Sequence, residues 1–337
     1  MDAKAGQALL RWYDETGLRL PWRARPGEPR PPAYRVWLSE VMLQQTTVAA
    51  AAPYFARFLE RWPDVRALAT AEDAEVMTAW AGLGYYARAR NLLACARAVV
   101  ANHGGTFPRT EAELRTLPGV GAYTAAAIAA IAWGERALVV DGNVERVASR
   151  LLALPRPPAA ERPAIIALLD RMAPHDRPGD FAQACMDLGR TVCRPRRPDC
   201  LLCPLRPSCA AAALGTPEAF PVKPVRRASP ERTGACYLLV HRGDVFLEER
   251  PPSGLLGGMR GFPEAPPLSA PWRELGTVRH VFTHFALTLS VRTAAGPTRP
   301  PGLWWPVHRL DEAGLPTLFR RAARLLIGEL AGAEAAA

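Results

Sequence analysis

Lysine is nearly absent from this sequence. Its 337 residues include 42 lysines and arginines together, and only Lys4 and Lys223 are lysines. The formal net charge is +10, so almost every positive charge is an arginine. A GC-rich genome gives the same bias and is the first explanation to consider. A basic balance also suits a polyanionic partner such as nucleic acid, although many basic proteins bind nothing acidic.

Long apolar runs are missing too. The longest stretch of small apolar residues, 125–133, is too short to cross a bilayer. The first residues form no apolar segment of the kind that signal peptides contain. We therefore expect no membrane partner, a cytoplasmic and nucleoid-associated location, and a monomer. Because 49% of the residues are hydrophobic, the chain can bury the cores of two domains.

The first two thirds of the sequence have helical periodicity. Asp64 and the pair Thr110 and Glu113 fit helix N-termini, and Gly104 fits a helix end. The predicted helices cover residues 35–52, 53–62, 91–100, 122–133, 163–172 and 180–188, and Val144, Val147 and Leu151 share one face of a further helix. We predict an all-α domain over residues 1–213.

The pattern changes after residue 213. Residues 214–232 are rich in proline and arginine, with little that could pack, and are predicted to be a linker. Residues 235–240 and 245–249 resemble strands joined by a hairpin turn, and 281–293 resembles another strand region. Residues 317–330 form an amphipathic helical pattern. A smaller α+β domain is therefore predicted over residues 233–332.

Four of the seven cysteines lie close together, at Cys193, Cys200, Cys203 and Cys209. Four thiolates within 17 residues have the number of ligands required by a [4Fe-4S] cluster or by a four-cysteine zinc site. Spacing alone does not separate iron from zinc. Zinc sites more often contain two Cys-x2-Cys pairs, and this segment contains one.

A glycine-rich turn, Gly119-Val120-Gly121, precedes the alanine-rich helix. Glycines allow a tight turn and a close backbone approach, and the amides that begin a helix can hold a phosphate. The pattern resembles the hairpin of a helix-hairpin-helix motif. Taken alone it is as compatible with an ordinary turn between helices.

Two carboxylates occupy unusual settings. Glu40 lies on a mostly apolar helix, and Asp141 follows an apolar run. Cleavage of a glycosidic bond requires an acid for the leaving group and an anion that stabilises the sugar cation. Each residue type has a simpler interpretation, which is a solvated helix face for Glu40 and a helix N-cap for Asp141.

Aromatic and amide side chains suit an unstacked base. Tyr85 and Tyr86 adjoin Arg88 and Arg90, and stacking rings beside cations are typical of sites for splayed nucleotides. Gln44 and Gln45 could supply a side chain that enters a duplex. We expect Tyr86 to pack in the core.

Together, in this order, these segments resemble the MutY-type adenine DNA glycosylases of the helix-hairpin-helix superfamily. The resemblance covers residues 20–209 closely and residues up to about 330 more loosely. It implies a helix-hairpin-helix glycosylase domain with a six-helix module at about 20–136 and a [4Fe-4S] module built from both flanks. A smaller α+β Nudix-like domain follows.

The resemblance also implies roles for individual residues. Glu40 matches the general acid, Asp141 the carboxylate that stabilises the sugar cation, and Tyr123 a tyrosine near them. The four cysteines match the ligands of a structural cluster, and Gly119, Val120 and Gly121 match a phosphate-binding hairpin. Residues implied to contact the bases are Trp22, Arg23, Leu43 and Asp187 at the adenine, Gln45 and Tyr85 as wedges, and Thr46 and Leu83 near the oxidised guanine.

Relatives that also cut the DNA strand carry a lysine at the position of Tyr123, and its amine forms a Schiff base with the sugar. Tyrosine at this position implies a monofunctional glycosylase. The implied substrate is duplex DNA with adenine opposite 8-oxoguanine or guanine. Two alternatives remain, namely a pyrimidine- or thymine-specific glycosylase of the same superfamily and a non-catalytic DNA-binding iron–sulfur protein.

The tail resembles a domain that inspects 8-oxoguanine. Phe282, Thr283 and His284 match its lesion-reading loop, while His284 alone would be interpreted as an ordinary strand histidine. The tail lacks the glutamate-rich helix of Nudix hydrolases, so we expect it to bind and not to hydrolyse. It departs from the family where residues 259–261 replace a Trp-Glu pair, although Gly258 is kept as a predicted backbone contact. The proline-rich loop 24–33 is also longer than usual.

Overall fold

The structure is a computed structural model that describes residues 3–224, 230–251, 254–282 and 284–335. The chain divides into two compact units, Met1–Val225 and Arg226–Ala337. The first is helical and the second contains the sheet. Within the described ranges, no helix is long and apolar enough to cross a membrane.

The first unit consists of helices joined by short loops. In chain order they are α1 Ala3–Thr16, α2 Ala33–Leu43, α3 Val48–Arg61, α4 Val65–Ala69, α5 Asp73–Trp80, α6 Ala87–His103, α7 Glu111–Leu114, α8 Ala122–Ile128, α9 Gly142–Leu152, α10 Arg162–Met172, α11 Pro178–Thr191 and α12 Ala210–Ala213. The predicted caps are confirmed, because Asp64 and Thr110 accept hydrogen bonds from the first turns of α4 and α7. Gly104 ends α6 in the left-handed conformation.

Two apolar cores hold these helices. One is built mainly from residues 22–139 and includes the fully buried Trp37 and Trp80. The other combines residues 5–13 with residues 140–205, in which α1 packs on α10 and α11, and these two helices pack on α9. The active-site residues described below come from segments of both cores.

The predicted helix over residues 35–52 is wrong in its extent. Helix α2 ends at Leu43, and Gln45 has a φ of 58°, in the left-handed region. Helix α3 then begins at Val48, capped by Thr47, and contains Pro53 in place of starting there. The break was missed because the apolar period continues across a turn that a non-glycine residue makes.

A π-helical turn, Ala129–Trp133, continues α8. Helix α11 crosses it closely, since a Cβ on Gly179 would lie 2.7 Å from the carbonyl oxygen of Ala130. This close crossing brings Ile131 and Gln183 to the same cavity. Such turns within helices are common at functional sites.

The second unit is a mixed sheet covered by a helix. Its elements are β1 Glu231–His241, β2 Asp244–Glu249, β3 Arg260–Gly261, β4 Arg273–Val281, β5 Ala286–Ala295, β6 Leu303–Pro306 and α13 Thr317–Ala335. The strand order is β3-β2-β1-β5-β4, and β6 pairs with β2. The predicted hairpin is confirmed, because β1 and β2 pair antiparallel across Arg242 and Gly243, which both have positive φ. Strand β1 runs parallel to β5.

The segment between the helices and the sheet is partly packed. The carbonyls of Pro217 and Phe220 accept hydrogen bonds from Arg150, a fully buried residue of α9. Strand β1 begins at Glu231. The linker over residues 214–232 stays a prediction, and within it the backbone carbonyls of residues 217 and 220, and not side chains, make the contact with α9.

Candidate active site

A cavity of about 340 Å³ opens between the two cores of the helical unit. This volume is within the range of small-molecule sites. Its lining contains predicted residues from five separate segments, namely Trp22, Arg23, Glu40, Leu43, Thr46, Tyr123, Asp141 and Asp187. An adjoining cleft of about 570 Å³ shares Glu40, Leu43, Tyr123 and Asp141 with the cavity and adds Gln45 and Tyr85.

Glu40 is buried in the wall of this cavity, with 6% of its surface exposed. The solvated helix face is therefore wrong. Burial raises the pKa of Glu40, against the opposing effects of the Tyr123 hydrogen bond and of Arg23, and Asp141 adds to the rise. A carboxyl with a raised pKa can hold a proton nearer to neutral pH, as a general acid requires.

Tyr123, on α8, fixes one oxygen of this carboxyl. Its hydroxyl donates a hydrogen bond of 2.7 Å to Oε2 of Glu40 and lies 3.5 Å from the sulfur of Met186. Burial raises the pKa of Tyr123 well above its ordinary value, and Glu40 raises it further. Tyr123 is therefore a neutral donor, and Oε1 of Glu40 is the oxygen left to carry the proton.

Asp141 is the N-cap of α9. Its Oδ1 accepts from the backbone N–H of Val144 at 2.7 Å, and its Oδ2 accepts from Asn143 Nδ2 at 2.7 Å. The simpler interpretation, a helix cap, is therefore correct for this residue. It is compatible with a chemical role, because the carboxylate also lines both the cavity and the cleft. The cap fixes its orientation.

A buried ion pair forms the inner wall. Arg23 donates to Oδ2 of Asp187 at 2.7 Å, and the same oxygen accepts from the backbone N–H of Leu18 at 2.9 Å. Burial alone would lower the pKa of Arg23, but the attraction and hydrogen bond of Asp187 outweigh it and the net shift is upward. Trp22 is buried and packs edge-on against Phe55.

Gln183 is a site residue that the sequence interpretation missed. The residue is 4% exposed and lines the cavity, and its Oε1 has no hydrogen-bond partner among the residues that the structure describes. A buried amide oxygen without a partner is costly unless a ligand satisfies it. The available signal was its position four residues before Asp187, on the same face of a helix.

Two residues at the mouth of the cleft have left-handed backbones. Gln45 has a φ of 58° and Tyr85 a φ of 51°, and Tyr85 is 60% exposed. Tyr86 packs against the core, as expected. Thr46 lines the cavity and Leu83 is buried next to the turn that bears Tyr85.

The glycine-rich turn lies between α7 and α8. Position 119 requires glycine for two reasons: its φ is 71°, and a Cβ there would lie 2.6 Å from the Cβ of Asn91. Val120 is buried. Gly121 is the N-cap of α8 without a side-chain cap, and a Cβ there would meet open space. The geometry leaves the backbone of Gly121 accessible to a ligand.

The four clustered cysteines line one small apolar cavity with Arg150. Burial raises the pKa of Cys203 to about 12, and the neighbouring cysteines add to that rise. Among the described residues, no three acidic, histidine or cysteine side chains are grouped as a site for a metal ion. The four cysteines nevertheless border the same cavity, and four thiols are the donor set of a [4Fe-4S] cluster or of a four-cysteine zinc site.

Hydrogen bonds connect this region to Asp141. Arg146 donates to Oδ1 of Asn143 at 2.8 Å and to the carbonyl of Cys193 at 2.9 Å, and Asn143 donates to Asp141. Arg150 donates to Sγ of Cys193 at 3.2 Å. Helix α9 therefore contacts the cysteine segment and presents Asp141 at its other end.

In the second unit, the predicted lesion-reading residues lie at the turn between β4 and β5. Phe282 stacks on Phe285 with the ring centroids 4.9 Å apart, and His284 is exposed. Thr283 lies outside the described residues. Gly258 has a φ of 67°, and its N–H bonds to the carbonyls of Arg250 and Pro251.

Comparison with known families identifies the class of protein. Residues 38–168 match the HhH-GPD superfamily of base excision DNA repair proteins, and residues 234–325 match a NUDIX domain. The fold resembles that of a thermostable thymine-DNA glycosylase, with a TM-score of 0.55 and 26% identity over 62% of this chain and 95% of that one. It also resembles endonuclease III in a complex with DNA, with a TM-score of 0.52 and 21% identity over 63% and 95%. The fold and site therefore define a DNA glycosylase of base excision repair.

Curated relatives narrow this class. The human adenine DNA glycosylase is 36% identical over 96% of this chain and 74% of its own length. The adenine DNA glycosylase of Mycolicibacterium smegmatis is 41% identical over 65% of this chain and 73% of its own length. The chain belongs to the adenine DNA glycosylase family.

Proposed function

We propose that this protein hydrolyses the N-glycosidic bond of adenine mispaired with 8-oxoguanine or guanine in duplex DNA. The observation that carries the proposal is the pairing of Glu40 with Asp141 at one cavity. Glu40 is buried with a raised pKa, and Asp141 is held by two hydrogen bonds. These are the acid and the anion that departure of a base from a deoxyribose requires.

In the proposed mechanism, adenine leaves the base stack and enters the cavity. Tyr123 holds Oε2 of Glu40, so Oε1 delivers a proton to the adenine ring. Asp141 stabilises the positive charge that develops on the sugar, and a water molecule completes the hydrolysis.

Gln183 is a further polar side chain at the proposed base site. It lines the cavity, and a side-chain amide can both donate hydrogen bonds to and accept them from the edge of adenine. Arg23 and Asp187 provide a rigid floor for the pocket.

We further propose that Cys193, Cys200, Cys203 and Cys209 hold a [4Fe-4S] cluster. When bound, the cluster would cross-link the segment between α11 and α12 and thereby position nearby arginines for DNA. Neither proton transfer nor sugar stabilisation in the mechanism above involves it. The remaining DNA contacts in the proposal are the Gly119–Gly121 turn at a phosphate and Phe282, Thr283 and His284 at the partner base.

Measuring which base the protein releases from DNA tests the proposed function. The purified protein would be incubated with duplexes containing A opposite 8-oxoguanine, A opposite G, A opposite T, T opposite G and 8-oxoguanine opposite C, and strand cleavage would be measured with and without mild alkali. We expect alkali-dependent cleavage at the mispaired adenine alone and none with Glu40→Gln. Release of thymine from the T:G duplex would favour the thymine-specific reading. Efficient borohydride trapping on abasic DNA would contradict a monofunctional enzyme.

A further inference from the structure

Arg88, at the start of α6, is a buried cation that the mechanism above does not use. Its side chain is 9% exposed. No carboxylate among the described residues lies within ion-pair distance of it; backbone carbonyls and one hydroxyl surround it instead. Burying an arginine in this way carries a large desolvation cost, so the groups that accept its hydrogen bonds indicate which segments of the chain it stabilises.

The first set of bonds ends helix α2. One nitrogen of the guanidinium, Nη1, donates at 3.0 Å to the carbonyls of both Val41 and Met42. Carbonyls in the last turn of a helix have no partner within the helix, and a cation there also suits the helix dipole. Arg88 therefore fixes the end of the helix that carries Glu40, just before the turn at Gln45.

The second set holds the loop that carries Tyr85. The other terminal nitrogen, Nη2, donates to the carbonyls of Leu83 at 3.2 Å and Gly84 at 3.3 Å, and to the hydroxyl of Thr46 at 3.2 Å. The guanidinium carbon also lies 5.6 Å from the centre of the Tyr85 ring. The rigid guanidinium of Arg88 therefore connects the turn that contains Gln45 to the loop that contains Tyr85.

We infer that Arg88 is a positioning residue which fixes the spacing of Gln45 and Tyr85, so that the two side chains enter the duplex together and displace the target adenine. The inference rests on the proposed function. A planar guanidinium can reach two backbone segments and a hydroxyl at once, whereas the ammonium of lysine donates from a single point. The strained backbones of the two residues need such an external support.

The test measures base extrusion separately from chemistry. A 2-aminopurine beside the target adenine, opposite 8-oxoguanine, would report extrusion by its fluorescence, and quenched single-turnover reactions would report excision. For Arg88→Met we expect the extrusion signal to be lost and excision to slow about 10²-fold, the scale expected of a misplaced positioning group. Binding to a duplex with a tetrahydrofuran abasic site, which needs no extrusion, should change less than about twofold.

Two further variants separate positioning from a purely structural role. Arg97→Met, on the same helix, removes hydrogen bonds to Ala69, Ala71 and Asp73 and should leave extrusion normal. In a background with both Gln45→Ala and Tyr85→Ala, Arg88→Met should have little further effect, because the arginine acts through those two side chains. Arg88→Lys should restore part of the signal.

The outcomes are distinct. Normal extrusion by folded Arg88→Met would overturn the inference, and so would an effect of Arg88→Met that simply adds to that of the combined Gln45→Ala and Tyr85→Ala changes. The dependence of the excision rate on pH should be the same in Arg88→Met as in wild type. A shift of this dependence along the pH axis would also contradict a role that is confined to positioning Gln45 and Tyr85. If the wild-type protein released no adenine, the proposed function and this inference would both be rejected.

Discussion

At the scale of single residues, the burial that suits Glu40 to its proposed role also makes its ionised form destabilising to the fold. The pKa of Glu40 is raised in the folded state, chiefly by burial, from an ordinary value of 4.5. Its contribution to stability is therefore complete below that ordinary value and is lost as pH rises through the folded-state pKa. A general acid works at a pH near its folded-state pKa, so Glu40 would act in the same pH range in which its contribution to stability is lost.

We predict that Glu40→Gln stabilises the protein relative to wild type increasingly as pH rises from 4.5, because the amide does not ionise. Excision should fall by about 10²–10⁴-fold or more. Thermal unfolding across this pH range, monitored by circular dichroism, would measure the difference. An equal difference at every pH would mean that Glu40 titrates normally.

Glu113→Gln is the matched control, since hydrogen bonds from Thr110 lower the pKa of that exposed carboxyl. A lowered pKa contributes stability above the ordinary value and loses it as pH falls through the folded-state pKa. Glu113→Gln should therefore be the less stable protein near neutral pH, with the opposite slope, and should retain full activity.

The chemistry of individual residues in the sequence predicted some members of this candidate site but not all of them. Segments with several informative neighbours, such as those around Glu40 and Asp141, predicted residues that the fold brings to one cavity. Gln183 was missed because an isolated glutamine on a helix has no distinctive sequence signal. Its significance lies in an unpartnered oxygen, which only the three-dimensional arrangement reveals.

At the scale of elements, the N-cap of α9, Asp141, has an observed structural role and a proposed chemical one. We predict that Asp141→Ala destabilises the protein by about 1 kcal/mol through loss of the cap. Asp141→Asn keeps an acceptor for the N–H of Val144 and should cost less, although it disturbs the bond from Asn143. Both variants should lose at least about 10²-fold in excision, because the negative charge is gone.

Asp64 provides the comparison, because it caps α4 in the same way and is absent from the lining of the active-site cavity. Asp64→Ala should lose a similar stability in urea unfolding while retaining excision. If Asp141→Asn kept near-normal turnover, its carboxylate would be only a helix cap.

Element boundaries were harder to predict than element types. Helix periodicity located α6, α9 and α10 closely, because their buried faces repeat regularly. Helix α1 was not predicted, since its few apolar residues, among them Leu9 and Tyr13, gain meaning only by packing on distant helices. The break after α2 was missed because a turn at Gln45 requires no glycine there.

At the scale of the whole molecule, the two units divide the proposed work. The proposed catalytic residues all lie in Met1–Val225, and Phe282 and His284 lie in the other unit. We predict that residues 1–224 alone excise adenine, with a smaller preference for A opposite 8-oxoguanine over A opposite G. Single-turnover rates on the two duplexes would give the ratio.

Full-length His284→Ala should move this ratio in the same direction, since the exposed ring is the proposed lesion reader. An unchanged ratio in both proteins would place partner-base recognition wholly in the helical unit. Complete inactivity of a folded helical fragment would instead mean that the second unit is needed for chemistry.

The left-handed backbones of Gln45 and Tyr85 also constrain how this enzyme can be engineered. Glycine would relieve a conformation that costs other residues about 1–2 kcal/mol, so a library screened for heat resistance should enrich glycine at both positions. The selected variants would lack the two side chains that are proposed to enter the DNA duplex. A thermostabilisation programme for this protein should therefore hold positions 45 and 85 fixed and draw its gains from elsewhere.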